Sequence, residues 1–329
     1  DSLMKVQFSL YDEFNNYSII VIDEVEQVLA HFLSDTIDTR RGEIFSLFGQ
    51  LLEKSKKIIA LDADLGWVSF VTLSMLAKTR KTNKKKRITT TTFAPINVHI
   101  NNFFDSDREV EMFPNETQIT ESFLRDINAG KRVFITTNSK RKAKSIGESI
   151  LEFAKEQGIA RKVLTITAEN SKSKVIQSFI ANIKTEILKY DVVVTSPSLG
   201  TGVDITFENG SREIDGVYGL FEARINSHFE VDQQLARVRN PGFVRVWISP
   251  QVFSFETEFD VVREDFIADQ AANSVFQFGE SSLSPVKEGL SPFLMLGTLV
   301  TMQQRASKNL LRKNFVDHKV NQGWKIIEI

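Results

Sequence analysis

The 329-residue sequence predicts an α/β protein: two units built on parallel sheets, followed by a mainly helical C-terminal region. Three observations predict it. Short runs of branched apolar residues recur without polar alternation, as strands covered on both faces require. Amphipathic stretches of helical period separate those runs. From about Pro250 onward the alternation fades, and "MLGTLVTMQQRASKNLLRKNFVDHKV" reads as helix.

The elements follow in order. A strand at 18–22 leads into a helix, and a second amphipathic helix spans Arg41 to Ser55. A strand lies within Lys56 to Asp64, and another helical stretch runs through Lys78. The segment Arg87 to Ile100, "RITTTTFAPINVHI", is β-branched and strand-like. The second half is more regular. Helix "ETQITESFLRDINAG" ends in glycine, the residue that most easily terminates a helix. Strand "KRVFITT", helix "SKRKAKSIGESILEFAKEQG", strand "RKVLTITA", helix "SKSKVIQSFIANIKTEILK" and strand "YDVVVTS" follow.

Composition narrows the chemistry. The 42% hydrophobic and 25% charged content is that of an ordinary soluble protein. No run reaches the ~18 apolar residues of a membrane span, and no secretory signal layout opens the chain, so no membrane partner is expected. The absence of cysteine excludes disulfides, thiolate catalysis and cysteine-ligated zinc, and it fits a cytoplasmic setting. The four histidines stand singly, which suggests no metal cluster. Net charge is −1, yet "KTRKTNKKKR" (Lys78 to Arg87) holds seven basic residues in ten and "SKRKAK" (Ser139 to Lys144) four in six. Each run alone reads as a solvated loop or helix face. Together they are candidates for a phosphate-binding track.

Ligands of parallel sheets collect at the carboxyl ends of strands, so the residues that follow each strand are the candidates. They are Asp23, Glu24 and Glu26; then Asp62 and Asp64 in "DADLGW"; then Thr137, Ser139 and Lys140; then Thr195, Ser196, Gly202 and Asp204 in "TSPSLGTGVDI". Gln233, Arg237 and Arg239 stand near the end of a helix in "EVDQQLARVRNP". Each has a structural alternative. Acids at 23 and 24 suit a helix N-terminus; Asp62 and Asp64 suit turns or caps; Ser139 suits an N-cap. The arginines suit surface ion pairs, and the glycines suit tight backbone geometry.

The order of these groups resembles motifs II to VI of superfamily 2 helicases, whose two RecA-like domains bind ATP in a shared cleft. More narrowly, "IIVIDEVEQVLAHFL", "IIALDADLGW" and "QQLARVRNP" resemble the origin-of-replication-binding helicases. These include herpesvirus origin-binding proteins and replication proteins of bacterial plasmids. The plasmid branch is the closer match, because DADL stands where many helicases carry Ser-Ala-Thr. The resemblance covers about Asp1 to Pro241 and implies a partial first RecA-like domain (1–87), a connecting segment (88–115), a second RecA-like domain (116–250) and a helical accessory region (251–329). It implies ATP and Mg²⁺ as cofactors, with Asp23 holding the metal through its water shell and Glu24 orienting the attacking water. Glu26 completes the acidic box, and Asp62 and Asp64 relay nucleotide state. Gly202 and Asp204 approach the nucleotide, Asp204 at the ribose. Gln233, Arg237 and Arg239 face the γ-phosphate. Thr137, Ser139, Lys140, Thr195 and Ser196 grip one nucleic-acid strand. The implied partners are single-stranded DNA, an origin duplex and other replication proteins.

Two departures qualify what the resemblance implies. No phosphate loop G-x-x-x-x-G-K-[ST] occurs in the sequence; Gly130-Lys131 lacks the earlier glycine and the hydroxyl residue, and precedes a strand. The chain is therefore expected to be a fragment of a larger enzyme, cut inside its first RecA-like domain and unable to turn over ATP alone. The spacing Q-x-x-A-R-x-R also brings the second arginine one residue early, so Arg237 is the safer γ-phosphate candidate.

Overall fold

The structure, a computed structural model, describes residues 18–34, 37, 41–83, 88–93, 96–101, 107–199, 203–277 and 291–329. It divides into two compact units: 1–101 with 256–305, and 102–255 with 306–329. The segment 251–329 is thus shared between the units and is not a body of its own.

In the first unit, β1 (Ile19–Ile22) and β2 (Lys57–Ala60) pair in parallel, with Ile19 opposite Lys57 and Ile22 opposite Ala60. Helices α1 (Val25–His31) and α2 (Arg41–Lys54) lie between them in sequence, and α3 (Trp67–Leu76) follows β2. The stripe Ile44, Phe45, Phe48 and Leu52 repeats at helical spacing and is buried. It packs with Ile22, Val25, Leu29 and Phe32, and with Leu296, Leu299 and Val300 from 256–305, into one core. The Phe32 and Phe45 rings meet edge to face at 5.3 Å.

The described part of the basic run, Lys78–Asn83, forms neither a loop nor a helix face, and residues 84–87 lie outside the described residues. Helix α3 stops at Leu76, and Lys78–Asn83 becomes β3, paired antiparallel with β4 (Ile88–Phe93). The register runs from Lys78 opposite Phe93 to Asn83 opposite Ile88. The threonine-rich partner explains this: strand preference is set by the strand opposite as much as by the residues themselves.

The second unit holds a seven-stranded, wholly parallel sheet in the order β11-β5-β10-β9-β6-β8-β7. Its strands are β5 (Glu109–Met112), β6 (Val133–Thr137), β7 (Val163–Ile166), β8 (Val192–Thr195), β9 (Gly216–Phe221), β10 (Phe243–Ile248) and β11 (Lys325–Glu328). Helices α4 (Glu116–Asn128) and α5 (Lys140–Glu156) cover one face against Val133, Ile135, Val192 and Val194. Helices α6 (Lys174–Ala181), α7 (Ile183–Glu186) and α8 (His228–Leu235) contribute to the core on the other, against Phe134, Val193 and Val217. Successive residues of one strand enter opposite cores, which is why these strands read as unbroken apolar runs. The α/β class with a parallel sheet therefore stands as expected.

Close approach sets two details. A Cβ on Gly147 of α5 would lie 2.2 Å from Thr165 Oγ1 of β7, so only glycine admits that contact. On the same side Arg245 ties α4 to the sheet, donating to Asp126 Oδ2 at 2.8 Å, Tyr218 Oη at 2.9 Å and Glu111 Oε2 at 2.8 Å. Burial, and donation to Asp126, push the Tyr218 pKa up.

Helices α9 (Phe259–Gln277), α10 (Pro292–Asn309) and α11 (Leu311–Asn321) make the C-terminal region mainly helical. The last residues depart from that expectation: β11 adds a parallel edge strand beside β5, with Lys325 opposite Glu109. Among the described residues, no helix is long and apolar enough to cross a membrane.

Candidate nucleotide and nucleic-acid site

The acidic loop is built by a sharp backbone reversal. Glu24 takes φ 53° and ψ 52°, a left-handed conformation unfavourable for a residue with a Cβ. That turn lets β1 pass directly into α1 and leaves Asp23 and Glu24 exposed at the strand's carboxyl end. Behind them two carboxylates brace the loops. Asp62 accepts from the backbone N–H of Glu26 and of Asp64, each at 2.8 Å. Glu26 Oε1 accepts from Gly66 N at 2.7 Å and Ser69 N at 3.4 Å, capping α3. The acidic and coupling loops are therefore one hydrogen-bonded assembly in which Glu26 and Asp62 act as caps.

In the second unit, Thr137 ends β6 and Thr195 ends β8, which is its neighbour in the sheet. Thr137, Thr195 and Ser196 are buried, and Thr137 Oγ1 accepts from Ser139 N at 3.4 Å. Thr195 Oγ1 has no partner among the described residues, and Ser196 Oγ donates to Ser198 Oγ at 3.2 Å. Ser139 is the N-cap of α5, accepting from Lys142 N at 3.2 Å. Lys140 is exposed and pairs with Glu169 at 3.0 Å, and Lys144 pairs with the same carboxylate. Hydrogen bonds from Lys144 and Lys140 hold the Glu169 pKa down at about 2. The second basic run is thus a helix face partly neutralised by ion pairs. Gly202 lies outside the described residues.

A parallel bridge joins Ile205 to Val238. Ile205 N donates to Arg237 O at 2.8 Å, and Arg239 N to Ile205 O at 3.1 Å. Arg239 Nε donates to Asp204 Oδ1 at 2.8 Å, and both side chains are well exposed. Arg239 also lines a cavity of about 290 Å³ with Glu109, Phe243, Lys319 and Trp324. This places it at the amino ends of β5 and β10, away from the strand ends that carry Thr137 and Thr195. Arg237 differs: burial lowers its pKa to about 10, and its Nη1 has no partner among the described residues. An unpaired buried guanidinium nitrogen suits an anion. Gln233 is half-buried on α8.

Two contacts on α8 carry no local sequence signal. Gln234 Oε1 accepts from Thr136 Oγ1 at 3.2 Å, tying α8 to β6. Asp232 meets His318 at 3.3 Å, and Lys319 and Gln322, all on or just after α11. Burial opposes ionisation of Asp232, but the His318 hydrogen bond and the Lys319 cation outweigh it and hold its pKa at about 2.

As to metal, no group of three His, Asp or Glu side chains able to hold an ion occurs among the described residues. Mg²⁺ retains waters and takes one or two carboxylates plus substrate phosphates, a donor set that exposed Asp23 and Glu24 fit.

Residues 1–134 match the family model described as "Origin of replication binding protein". A protein of Acanthamoeba polyphaga mimivirus, named for replication-origin binding, is 22% identical over 235 residues, covering 70% of this chain and 26% of that protein. A protein of African swine fever virus (isolate Tick/Malawi/Lil 20-1/1983), named for a helicase/primase complex, is 24% identical over 236 residues, covering 70% and 19%. The chain thus spans about a quarter or less of the length of these curated relatives. Among solved structures, Mycobacterium smegmatis helicase Lhr bound to ssDNA and AMP-PNP has a TM-score of 0.47 at 15% identity, covering 83% of this chain and 33% of that one.

Proposed function

We propose that this chain carries motifs II to VI of an ATP-driven helicase or translocase acting in replication initiation, in a plasmid or phage setting. The family match over residues 1–134 and relatives named for origin binding and for a helicase/primase complex support the replication-initiation role. The observation that carries the chemistry is Arg237, a half-buried side chain whose buried Nη1 has no partner among the described residues and whose backbone is held by the Ile205–Val238 bridge.

In this reading Asp23 would hold Mg²⁺, and the ion would supply neutralisation of phosphate charge. Glu24, fixed in its left-handed turn, orients the attacking water. Arg237 stabilises charge on the γ-phosphate as it is transferred. Arg239, already paired with Asp204, braces the loop that carries Asp204. Ser139 and Lys140 contact a DNA backbone without reading sequence, with other replication proteins as partners and the cytoplasm as the compartment.

The test is Glu24→Gln in a polypeptide that joins these residues to a phosphate loop. ATP turnover falls by about 100-fold or more while DNA binding is retained; turnover at the wild-type rate overturns the reading. A second reading is a non-catalytic DNA-binding module that keeps a helicase-like fold. Nucleotide binding that depends on Arg237 favours the motor over the module.

A further inference from the structure

We infer that the phosphate path over the second unit extends to both sides of Ser139 and Lys140, reaching Arg224 beyond β9 and Lys172 and Lys174 beyond β7. Every strand of this sheet is parallel, so the residues that follow β9, β6 and β7 emerge at the same end of it. In the sheet β9, β6, β8 and β7 are consecutive. At the usual strand spacing, their loops form a row about 14 Å long.

Hydrogen bonds and ion pairs make that row one continuous shelf. Asn138 Nδ2 donates to Glu222 O at 2.7 Å, and Asn138 Oδ1 accepts from Glu222 N at 3.0 Å, joining the loops after β6 and β9. Lys140 and Lys144 pair with Glu169, joining the start of α5 to the loop after β7. Arg224 takes φ 75°, a left-handed conformation costly for a residue with a Cβ. It is held there between the Asn138 clasp and the Ser227 capping box of α8.

The charges on the shelf itself identify the occupant. Its acids are already engaged: Glu169 takes Lys140 and Lys144, and Glu116 and Glu222 share Lys142. Those three cations and three acids balance. Arg141, Lys172, Lys174 and Arg224 remain, all exposed and without a partner among the described residues. The surplus along the row is therefore cationic after every neighbouring acid is counted. Between them, Thr195 to Ser198 is polar and uncharged. A line of single positive charges suits the regularly repeated phosphates of one nucleic-acid strand laid across the strand ends. Ion pairing thus moves the weight of phosphate binding from Lys140 to these four residues. The inference rests on the nucleic-acid side of the proposed function and not on its catalytic assignments.

The test measures binding of labelled oligothymidylate of about 15 nucleotides to this chain by fluorescence anisotropy across a salt series. Arg224→Gln weakens binding about fivefold at low salt and lowers the slope of log affinity against log salt by about 0.7, the share of one phosphate contact. Lys172→Gln/Lys174→Gln lowers that slope by about 1.4. Arg224→Lys stays within about threefold of wild type, since a phosphate requires the charge above all. Oligoadenylate responds to each variant as oligothymidylate does, because phosphates carry no base identity. Lys184→Gln, on α7, changes neither quantity, since that chain leads to the amino end of β8. Unchanged affinity and slope in Arg224→Gln and in the lysine pair overturn the inference, and a loss confined to Lys140→Gln then leaves the proposed function standing. A loss in Lys184→Gln equal to that in Arg224→Gln also overturns it, as does polyglutamate binding more tightly than the oligonucleotide. Wild type that binds no single strand overturns the inference and the nucleic-acid side of the proposed function together.

Discussion

Lys319 reaches Asp232 across the packing of α11 on α8, and the two side chains are only 4% and 10% exposed. Lys319 also donates to Gln322 Oε1 at 3.0 Å and sits over the Trp324 ring at 3.9 Å. The helix that carries Gln233, and that leads into Arg237, is thereby held by the end of the chain.

A buried pair of this kind is costly to break from one side. Lys319→Met leaves the buried Asp232 charge with only His318 and Gln322 to offset it and lowers stability by up to about 3–5 kcal/mol. The double variant Asp232→Leu/Lys319→Met removes both charges and recovers most of that loss. Urea denaturation of the three proteins measures the difference; a loss under about 1 kcal/mol in the single variant shows that the pair does not hold α11.

Acid weakens the packing of α8 and α11 in two windows. Burial, then the neighbouring His318, lowers the His228 pKa from 6.5 to about 4. The unfolded chain therefore binds the proton first, and stability falls as pH drops from about 6.5 to 4. Asp232, lowered from 3.8 to about 2, contributes stability that is full above its unfolded pKa and is lost as pH falls from 3.8 toward 2. Denaturation at pH 7 and pH 5 isolates the first window, where the loss is of order 1–2 kcal/mol after solvent screening. His228→Gln flattens it; an unchanged slope in that variant assigns the effect elsewhere.

In the proposed function Arg237 sets stability against activity. Arg237 is half-buried and its buried Nη1 has no partner among the described residues, so Arg237→Met raises stability by up to about 1 kcal/mol. In a polypeptide competent for ATP turnover the same change abolishes it. A thermal melt and a turnover assay on one preparation check both halves. A destabilised Arg237→Met shows that the guanidinium has a structural partner.

Glu26 is expected to act through structure. Glu26→Ala removes the acceptor for Gly66 N and Ser69 N and costs about 1 kcal/mol, the usual cost of a lost helix cap. Hydrogen exchange at Gly66 and Ser69 reports it directly, since both amides open faster. Protection equal to wild type shows that α3 needs no cap from Glu26.

Much of the fold was legible because it is local. Each strand of the second sheet is a short apolar run, and each intervening helix carries a stripe at 3.6-residue spacing. Ser139 read as an N-cap and is one; Gly130 read as a helix terminator and follows α4 at φ 82°. The basic run at 78–83 was misplaced because charge suggests solvent exposure but leaves backbone conformation open, which the pairing with 88–93 decides. The edge strand β11 was missed because four residues show no period and parallel partners are distant in sequence.

The sequence by itself determined the alternation of strand and helix, the order of the acidic, hydroxyl and arginine motifs, and the missing phosphate-loop pattern. All of these depend on residues within a few positions of each other. The tertiary structure alone decided that Glu26 caps a helix 40 residues on, that Asp204 answers Arg239, and that Asp232 is held by His318 at a separation of 86. Such contacts rest on burial and desolvation, which depend on what the folded chain brings alongside and leave no periodic trace in the residues themselves.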